Sequence, residues 1–348
     1  MSGAWVHRFP DLRSRLPWLP LATLPTPVEA WPSEEFPGRL FVKRDDLTSP
    51  LYGGNKVRKF EYLLAAARER EARALVTLGG FGTNQGLALA LHGRAGGFAV
   101  EVSLAPQPIT ATVGANLRGL VAAGASLRFA RTGLGSLWGA WRAVRARRAA
   151  GERPYYIPAG ASTPLSTLAY VAAALELAEQ VEQGLLPVPD RIFVAAGTCG
   201  TAAGLVAGCK LARLATRVTA VRAYHPILAN RGTIVRLARR AVALLRSLDP
   251  GMPDIPIAAG DFDLLTGFLG PGYGVPTPAA LSAVAWAAPR LGLETTYTGK
   301  ALAACLACCA AAGAGPVLFW NTYNSAVFPQ APNLDALPRS LRRALTDL

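Results

Sequence analysis

Short apolar runs alternate with glycine-rich turns and alanine-rich segments along most of this chain. The runs suited to strands occupy residues 75–78 (LVTL), 98–104 (FAVEVSL), 126–130, 192–195 (IFVA), 218–224 and 316–320 (PVLFW). Segments with helical spacing of apolar positions lie between them, as in residues 115–123. Strands that alternate with helices favour a mostly parallel, doubly wound sheet, in which ligand loops follow the carboxyl ends of strands.

Two glycine-rich loops after strands, at residues 78–86 and 195–204, divide this pattern into two halves. A chain of 348 residues is long enough for two domains. We therefore predict an α/β fold with two open, mostly parallel sheet lobes, helices on both faces and a ligand in the cleft between them. The predicted large domain comprises residues 1–54 and 166–348, and the small domain residues 55–165.

Charge adds little to this picture, although the net charge is +14. Arginines concentrate at residues 142–148 (RAVRARR), 236–246 and 339–343. They alternate with apolar residues at helical spacing, which predicts solvated helix faces and no nucleic-acid partner. A basic surface also attracts small anionic substrates.

An uncharged stretch at residues 301–320 is long enough to span a bilayer. It consists mostly of Ala, Gly and Cys and contains Pro316, so we predict a buried helix followed by a buried strand. The first residues lack an apolar signal region and are broken by prolines. We expect a cytoplasmic protein that does not bind membranes.

The five cysteines do not form a disulfide framework, because three of them crowd one predicted helix. Cys305 and Cys308 have the spacing of a redox pair, but small buried apolar side chains are the simpler interpretation. The three histidines are scattered, so no metal site is predicted.

The loop at residues 195–204 (AAGTCGTAAG) follows a strand and opens a helix. Its glycines allow a sharp turn, and Thr198 and Thr201 offer hydroxyls. Backbone N–H groups and the helix N-terminus would then face an anion, and a phosphate fits best. The loop is not a P-loop, because no Lys-Ser/Thr pair closes it. A strand–helix turn without a ligand is the alternative.

The loop at residues 78–86 begins like a dinucleotide fingerprint, with Glu101 about 20 positions further on. Gln85 stands where the third glycine or alanine belongs, which argues against a nicotinamide-dependent oxidoreductase. Thr83, Asn84 and Gln85 instead present polar groups at a helix start, an arrangement suited to a substrate carboxylate. Alternatively, Thr83 or Asn84 only caps the helix.

Lys56 lies at the start of a predicted helix, directly after Gly53, Gly54 and an asparagine. We expect the two glycines to act as a hinge that lets the amine move between a cofactor and a substrate. A lysine combined with a phosphate loop, in the absence of a nucleotide motif, suggests pyridoxal 5'-phosphate, an aldehyde that carries its own phosphate. An ordinary surface lysine is the alternative.

The stretch KRDDLTSPLYGGNKVRKFEYLL at residues 43–64 closely resembles the signature of the 1-aminocyclopropane-1-carboxylate deaminase and D-cysteine desulfhydrase family. These are pyridoxal phosphate enzymes of fold type II, similar to tryptophan synthase β. The resemblance runs from PTPVEAW (residues 25–31) through the two glycine loops to YTGKA (297–301) and VLFWNT (317–322). The block GGNK-x-RK-x-EY is its most specific part.

The resemblance implies cofactor contacts. Lys56 matches the lysine that binds the cofactor covalently, and Asn84 the asparagine that contacts its 3'-hydroxyl. Lys59 is expected to assist the phosphate loop, and Thr298 or Thr322 to contact the pyridine nitrogen. The phosphate loop itself corresponds to Gly197, Thr198, Cys199, Gly200 and Thr201.

The resemblance also implies substrate contacts. Thr83 stands where the family usually has serine, beside the substrate carboxylate, and Tyr297 matches an active-site tyrosine. Lys56, Thr83 and Tyr297 are therefore the predicted catalytic residues. The predicted substrate-binding residues are Thr83, Asn84, Gln85, Tyr297 and Tyr323.

Three departures from the family pattern bear on the substrate. Thr298 replaces the deaminase glutamate, as in desulfhydrase-like members, and a hydroxyl cannot keep a pyridine nitrogen protonated as a carboxylate does. Elimination of a good leaving group is then favoured over opening of an unactivated ring. The usual Gln-Ser-Asn-His run reads Gly-Thr-Asn-Gln at residues 82–85, and the usual His-Thr-Gly-Gly end reads Asn-Thr-Tyr-Asn at 321–324.

We therefore predict a pyridoxal-phosphate-dependent lyase, similar to D-cysteine desulfhydrase, that removes the Cα proton of a small amino acid and eliminates its β-substituent. Oxo acid and ammonia are the expected products, and a homodimer is the state that the resemblance implies. The alternatives are a 1-aminocyclopropane-1-carboxylate deaminase, a biosynthetic β-replacement enzyme and a binding module that has lost catalysis.

Overall fold

The computed structural model describes residues 8–288, 290–311, 315–335, 337 and 339–346. These residues form two compact units. Unit 1 consists of the described parts of Met1–Ser49, Gly53–Tyr62 and Ser162–Ser325. Unit 2 consists of the described parts of Pro50–Tyr52, Leu63–Ala161 and Ala326–Leu348.

The strands found in the described residues are, in chain order, β1 (Val28–Ala30), β2 (Leu40–Lys43), β3 (Ala74–Gly80), β4 (Ala99–Ala105), β5 (Ser126–Phe129), β6 (Pro154–Tyr156), β7 (Arg191–Ala196), β8 (Arg217–Arg222), β9 (Phe262–Leu265) and β10 (Val317–Trp320). The α-helices are α1 (Asn55–Glu69), α2 (Asn84–Ala95), α3 (Ala111–Ala122), α4 (Gly133–Ala149), α5 (Pro164–Glu182), α6 (Gly200–Leu211), α7 (Arg231–Leu248), α8 (Pro278–Ala287), α9 (Thr298–Cys309) and α10 (Arg339–Thr346).

Unit 1 contains a six-stranded sheet in the order β1-β2-β10-β7-β8-β9. All neighbouring strands are parallel except β1 and β2. Every residue of β2 and of β10 is buried, as expected for parallel strands whose two faces are both covered. The carboxyl ends of β7 and β10 lead directly into the predicted phosphate loop and the segment at residues 321–324.

Unit 2 contains a four-stranded sheet in the order β5-β4-β3-β6, with every pair parallel. The long central pair runs from Ala74 opposite Ala99 to Gly80 opposite Ala105. The loop at residues 81–83 follows β3 and leads into α2, so the second predicted ligand loop also lies at the carboxyl end of a strand.

The structure confirms the predicted α/β fold with mostly parallel sheets. It also confirms that a helix and then a strand, α9 and β10, lie in the described part of residues 301–320. Four stretches fall differently from the expected domain division: residues 55–62 and 162–165 belong to unit 1, and residues 50–52 and the described residues after 325 belong to unit 2. Strand β9 lies within the Pro- and Gly-rich residues 253–276, because residues 262–265 pair with β8.

Within the part of the chain that the structure describes, no helix is long and apolar enough to cross a membrane. All five cysteines are free thiols, and Cys305 is fully buried. The structure thus favours a buried apolar side chain for Cys305, whereas Cys308 is only partly buried, and the two do not form a disulfide.

A buried ion network connects α1 to the sheet of unit 1. Arg58 pairs with Asp45 at 2.8 Å and with Glu176 of α5 at 2.9 Å. Lys43, at the end of β2, pairs with the same Glu176 carboxylate at 2.6 Å. The second oxygen of Asp45 accepts hydrogen bonds from Tyr170 and Trp320. Because every charge is paired and hydrogen-bonded, the network fixes the position of the first turns of α1.

This network lowers the pKa of Glu176. Burial alone would raise it, but the charges of Arg58 and Lys43 outweigh burial and bring the pKa to about 2. A carboxyl whose folded pKa lies below its ordinary value of 4.5 stabilises the fold above that value. The contribution is lost as the pH falls from 4.5 towards 2.

We expect Glu176→Ala to lower the free energy of unfolding by roughly 3–5 kcal/mol at neutral pH, because Lys43 and Arg58 would lose a shared buried counter-charge. The matched control is Glu182→Ala on the same helix. Glu182 is 64% exposed and pairs with Arg8, so its loss should cost less than about 1 kcal/mol. Urea unfolding of the three proteins measures the difference, and equal stabilities would contradict the role assigned to the network.

Candidate active site

The environment of each lysine narrows the choice of a reactive amine. The chain has five lysines. Lys43 belongs to the buried ion network, Lys210 pairs with an aspartate at 2.6 Å, and Lys300 donates to a backbone carbonyl at 2.7 Å. The other two lysines, Lys56 and Lys59, both lie near the start of α1 in unit 1 and are the candidates for the reactive amine.

Lys56 is held beside the predicted phosphate loop by its neighbour Asn55. The Lys56 amine donates to the Asn55 side-chain oxygen at 2.8 Å, and the Asn55 amide donates to the Thr201 hydroxyl at 3.1 Å. Burial lowers the pKa of Lys56 to about 8, although the Glu294 carboxylate opposes the shift. A substantial fraction of this amine is therefore neutral near physiological pH, as a nucleophile or base requires.

The glycines before Lys56 are tightly packed, so the expectation of a free hinge is wrong. A Cβ on Gly53 would lie 2.0 Å from the Asp46 carbonyl oxygen, and one on Gly54 would lie 2.6 Å from the Tyr323 carbonyl oxygen. Gly54 has a φ of +88°, which favours glycine. Its N–H and that of Gly53 are both hydrogen-bonded, to Asp45 and Asn324 respectively. These glycines allow close approach of two backbone segments.

The predicted phosphate loop turns sharply between β7 and α6. Cys199 adopts a left-handed φ of +68° immediately before Gly200 begins the helix. Such strain in a non-glycine residue persists only where the surroundings enforce it, and is typical of functional loops. Burial raises the pKa of the Cys199 thiol to about 11, so this side chain is not a thiolate nucleophile.

Hydroxyl, amide and ammonium donors converge at the start of α6. The Gly200 N–H donates to the Ser162 hydroxyl at 3.3 Å, and that hydroxyl lies 2.7 Å from the Thr198 hydroxyl. A Cβ on Gly200 would lie 2.5 Å from the Ser162 oxygen and 3.1 Å from the Lys59 amine. Lys59 is almost fully buried, and burial together with the charge of Lys56 lowers its pKa. This is an anion-binding donor set.

Tyr297 packs on this loop. A Cβ on Gly197 would lie 3.0 Å from the Tyr297 ring, so glycine is needed there. The Tyr297 hydroxyl donates to that of Tyr273 at 3.0 Å, and the Tyr273 ring packs against Tyr224. Burial, reinforced by the neighbouring Tyr273, raises the pKa of Tyr297 well above its ordinary value. Tyr297 therefore keeps its proton at neutral pH.

Glu294 determines how the start of α9 is arranged. One oxygen of its buried carboxylate accepts from the backbone N–H groups of Tyr297 and Thr298, at 2.9 and 2.8 Å, and the other accepts from that of Thr296 at 2.7 Å. The Thr298 hydroxyl lies 3.2 Å from both the carboxylate and the carbonyl oxygen of Glu294 and accepts from the Glu294 N–H at 3.1 Å. The proton of Thr298 is thus used within this turn.

Thr322, the other threonine predicted to contact the pyridine nitrogen, is different. It lies just after β10 and is only partly buried. Its carbonyl accepts from the Asn55 N–H at 3.2 Å, which places it beside the start of α1. Within the described residues, its hydroxyl makes no hydrogen bond. The adjacent Asn321 is fully buried, and its side-chain nitrogen lacks a hydrogen-bond partner among the described residues.

In unit 2, Thr83 and Gln85 both have roles within the fold. Thr83 is the N-cap of α2, and its hydroxyl accepts from the Gly86 N–H at 3.1 Å. Thr83 therefore caps α2, and this hydrogen bond does not use the proton of its hydroxyl. The Gln85 amide donates to the Thr77 hydroxyl at 2.8 Å and to the Pro158 carbonyl at 2.9 Å. Both of its N–H groups are used inside unit 2, which leaves only the oxygen for the predicted substrate contact.

Asn84 has a fixed orientation. Its side-chain oxygen accepts from the Asn116 amide at 2.8 Å and from the Tyr52 hydroxyl at 3.4 Å. Its nitrogen makes no hydrogen bond within the described residues. The donor end of Asn84 is therefore the end that remains for a ligand.

Several of these residues were missed by sequence reasoning. Most of them act through contacts that are distant in sequence, as Asn116 does with Asn84, so spacing gave no signal for them; Glu294 instead contacts residues two to four positions away. Two weak signals existed: an asparagine directly before Lys56, and a tyrosine between two glycines in PGYG. The missed residues are Asn55, Asn116, Ser162, Tyr273 and Glu294.

Comparison with known proteins identifies the family of this chain. The family described as pyridoxal-phosphate dependent enzyme matches residues 19–322. Nocardicin C-9' epimerase from Nocardia uniformis subsp. tsuyamanensis is 38% identical over 271 residues, 76% of this chain and 79% of the relative. D-cysteine desulfhydrase from Salmonella paratyphi A is 33% identical over 301 residues, 83% of this chain and 88% of the relative.

Solved structures give the same result. A homologue of ACC (1-aminocyclopropane-1-carboxylate) deaminase superimposes with a TM-score of 0.80 at 26% identity, covering 91% of this chain and 94% of that chain. Maize serine racemase, at 16% identity and a TM-score of 0.58, shares the fold. The predicted family and cofactor are thus confirmed: the chain belongs to the pyridoxal-phosphate dependent enzymes of fold type II.

Proposed function

We propose that this enzyme removes the Cα proton of a small amino acid and eliminates its β-substituent, as a D-cysteine desulfhydrase-like lyase that releases an oxo acid and ammonia. The observation that carries the proposal is the set of hydrogen bonds that the Glu294 carboxylate already accepts within its own turn. The buried carboxylate at the start of α9 is occupied by backbone N–H groups and Thr298. The pyridine nitrogen is then expected to meet a hydroxyl, which favours elimination over ring opening.

The residues at the start of α6 fit the phosphate of pyridoxal phosphate. The N–H of Gly200, the hydroxyls of Ser162, Thr198 and Thr201, and the Lys59 amine provide donors and positive charge. Because a Cβ on Gly200 would enter the space between Ser162 and Lys59, the glycine keeps this cradle open. A phosphate dianion would also offset the cost of burying the Lys59 ammonium.

We assign the pyridine nitrogen to Thr322 rather than Thr298, because the Thr298 proton is used by Glu294 and the Thr322 hydroxyl is available. The resemblance implies that Asn84, whose oxygen is held by Asn116, donates to the cofactor's 3'-oxygen. These assignments leave Thr83 and Tyr323 for the substrate, as the resemblance implies.

When bound through Lys56, pyridoxal phosphate supplies an electron sink conjugated with the substrate's Cα. The Lys56 amine, with a pKa of about 8, is a base able to take the Cα proton. Tyr297 retains its proton, and turning this O–H from Tyr273 towards the departing β-substituent would supply the acid. The two residues thereby separate the tasks of base and acid.

Epimerisation at Cα is a second candidate. It is favoured by the 38% identity to nocardicin C-9' epimerase, which exceeds the 33% identity to the desulfhydrase. Both reactions begin with removal of the Cα proton. They differ in whether a leaving group departs from Cβ or a proton returns to the other face of Cα. A neutral Lys56 and a protonated Tyr297 suit either outcome.

The proposal includes a homodimer that acts in the cytoplasm. The resemblance carried by residues 43–64 supports the homodimer. The basic surface of the chain is then a solvated surface that faces small anionic metabolites.

Substrate turnover distinguishes these functions. We expect one stereoisomer of β-chloroalanine or cysteine to release oxo acid at least about tenfold faster than 1-aminocyclopropane-1-carboxylate, because a hydroxyl at the pyridine nitrogen makes a weaker electron sink. Reaction in deuterated water, followed by nuclear magnetic resonance and chiral chromatography, reports exchange and inversion at Cα. Inversion without oxo acid would favour the epimerase, and faster turnover of the cyclopropane would contradict the lyase proposal.

Cofactor retention tests the phosphate cradle. We expect Gly200→Ala to weaken pyridoxal phosphate binding by about tenfold or more, because the added methyl would displace Ser162 or Lys59. Gly133→Ala is the control, since Gly133 also begins a helix but no atom lies within 4 Å of the place that its added methyl would take. Dialysis against cofactor-free buffer with absorbance readout measures retention. Equal retention by both variants would place the phosphate elsewhere.

The pH dependence of cofactor attachment tests Lys56. Only the neutral amine attacks the aldehyde, so attachment to the apoprotein should accelerate with rising pH and reach half its maximal rate near pH 8. Because the Glu294 charge raises the Lys56 pKa, Glu294→Gln should move this midpoint to lower pH. Borohydride trapping at timed intervals gives the rates. A midpoint near 10.5, the ordinary value, would show that Lys56 is not perturbed.

A further inference from the structure

Helix α4 exposes a continuous apolar stripe that the proposed chemistry does not use. Leu134, Leu137, Trp138 and Trp141 lie at helical spacings of three and four and are 82, 48, 58 and 44% exposed. The opposite face of α4, at Ser136, Ala140, Ala143 and Val144, is buried in unit 2. Four large apolar side chains on one exposed helix face form a patch that typically marks an interaction surface.

The aromatic side chains of this stripe are already ordered against each other. The rings of Trp138 and Trp141 stack with their centroids 4.6 Å apart. The Arg145 guanidinium lies 4.8 Å from the centre of the Trp141 ring. Rigid aromatic side chains lose little conformational entropy on binding, which suits them to the centre of an interface.

The stripe is complementary to itself about the midpoint between Leu137 and Trp138. If a second copy of α4 packs antiparallel across a two-fold axis there, Trp138 faces Leu137 of the other copy. Trp141 then faces Leu134. Each tryptophan faces a smaller leucine, so the two stripes can interdigitate without crowding. Together they would remove roughly 1,000 Å² of apolar surface from water, the lower end for a specific interface.

The pairing keeps each of two arginines near the stripe, Arg142 and Arg145, away from the same arginine of the other copy. With a rise of about 1.5 Å per residue, the two Arg145 residues would be separated by roughly 22 Å, and the two Arg142 residues by roughly 13 Å, along the helix direction. Both separations exceed the screening length of about 8 Å at physiological salt. Arg131, just before α4, would come near Arg145 of the other copy, so this pairing should strengthen as salt screens that repulsion.

We propose that the stripe formed by Leu134, Leu137, Trp138 and Trp141 is the surface through which two copies of this chain dimerise. The inference rests on the proposed homodimer and identifies its interface. It does not depend on the reaction that the enzyme catalyses. An anionic partner would also be attracted to this basic helix, but its binding would weaken with salt, which is the opposite dependence.

Sedimentation equilibrium of the holoenzyme at low and high salt tests the proposal. We expect a dimer that tightens with salt, and a dissociation constant raised at least about thirtyfold by Trp138→Glu. Leu281→Glu is the matched control, because Leu281 is a helical leucine with 53% exposure in unit 1. A monomeric wild type, a dimer that weakens with salt, or a Trp138→Glu variant that still dimerises like the control would overturn the proposal.

A swap of two side chains tests the register. Leu137→Trp alone would oppose two tryptophans, and Trp138→Leu alone would leave a cavity between two leucines. The double variant restores a leucine opposite each tryptophan and should dimerise more tightly than either single variant. Additive losses in the double variant would overturn this register. Circular dichroism checks folding, and cofactor binding and oxo-acid release on the same samples show separately whether the proposed function fails.

Discussion

The structure depends on how the start of α1 tolerates three cations in four residues. Lys56, Arg58 and Lys59 lie near the N-terminus of this helix, where the helix dipole is also positive. Asp45 and Glu176 neutralise Arg58, which fixes the helix to the sheet of unit 1. Lys56 and Lys59 differ from Arg58, because burial lowers the pKa of each lysine. The same helix turn therefore supplies a rigid anchor and two amines that protonate less readily.

This arrangement suits a ligand that carries both an aldehyde and a phosphate. A neutral Lys56 can attack the aldehyde, while the hydrogen-bond donors around Gly200 and Lys59 can bind the phosphate. Tyr297 lies against the same loop, because its ring packs on Gly197 and its backbone is held by Glu294. The membership in the pyridoxal-phosphate dependent enzymes and the geometry of unit 1 thus agree on the cofactor, and the hydroxyl environment of Thr298 and Thr322 bears on the reaction.

Much of the fold was predictable because buried parallel strands leave a simple apolar signal, as in residues 192–195 and 316–320. The glycine loops were predictable as turns. The hinge at Gly53 and Gly54 was not interpreted correctly, because the packing of residues 322–324 against it involves partners distant in sequence. Glu294 and Thr298 are only four residues apart, but this spacing alone does not show that Glu294 uses the Thr298 hydroxyl. The position of β9 depends on pairing with β8, which overrides its Pro- and Gly-rich surroundings.

The most direct measurement identifies which lysine carries the cofactor. The holoenzyme is reduced with borohydride and digested, and the modified peptide is sequenced by mass spectrometry. With five lysines in the chain, every candidate is resolved. The account predicts modification at Lys56 alone, since Lys59 lies among the phosphate donors and Lys43, Lys210 and Lys300 are engaged elsewhere. Modification at Lys59 or Lys300, or none at all, would contradict it.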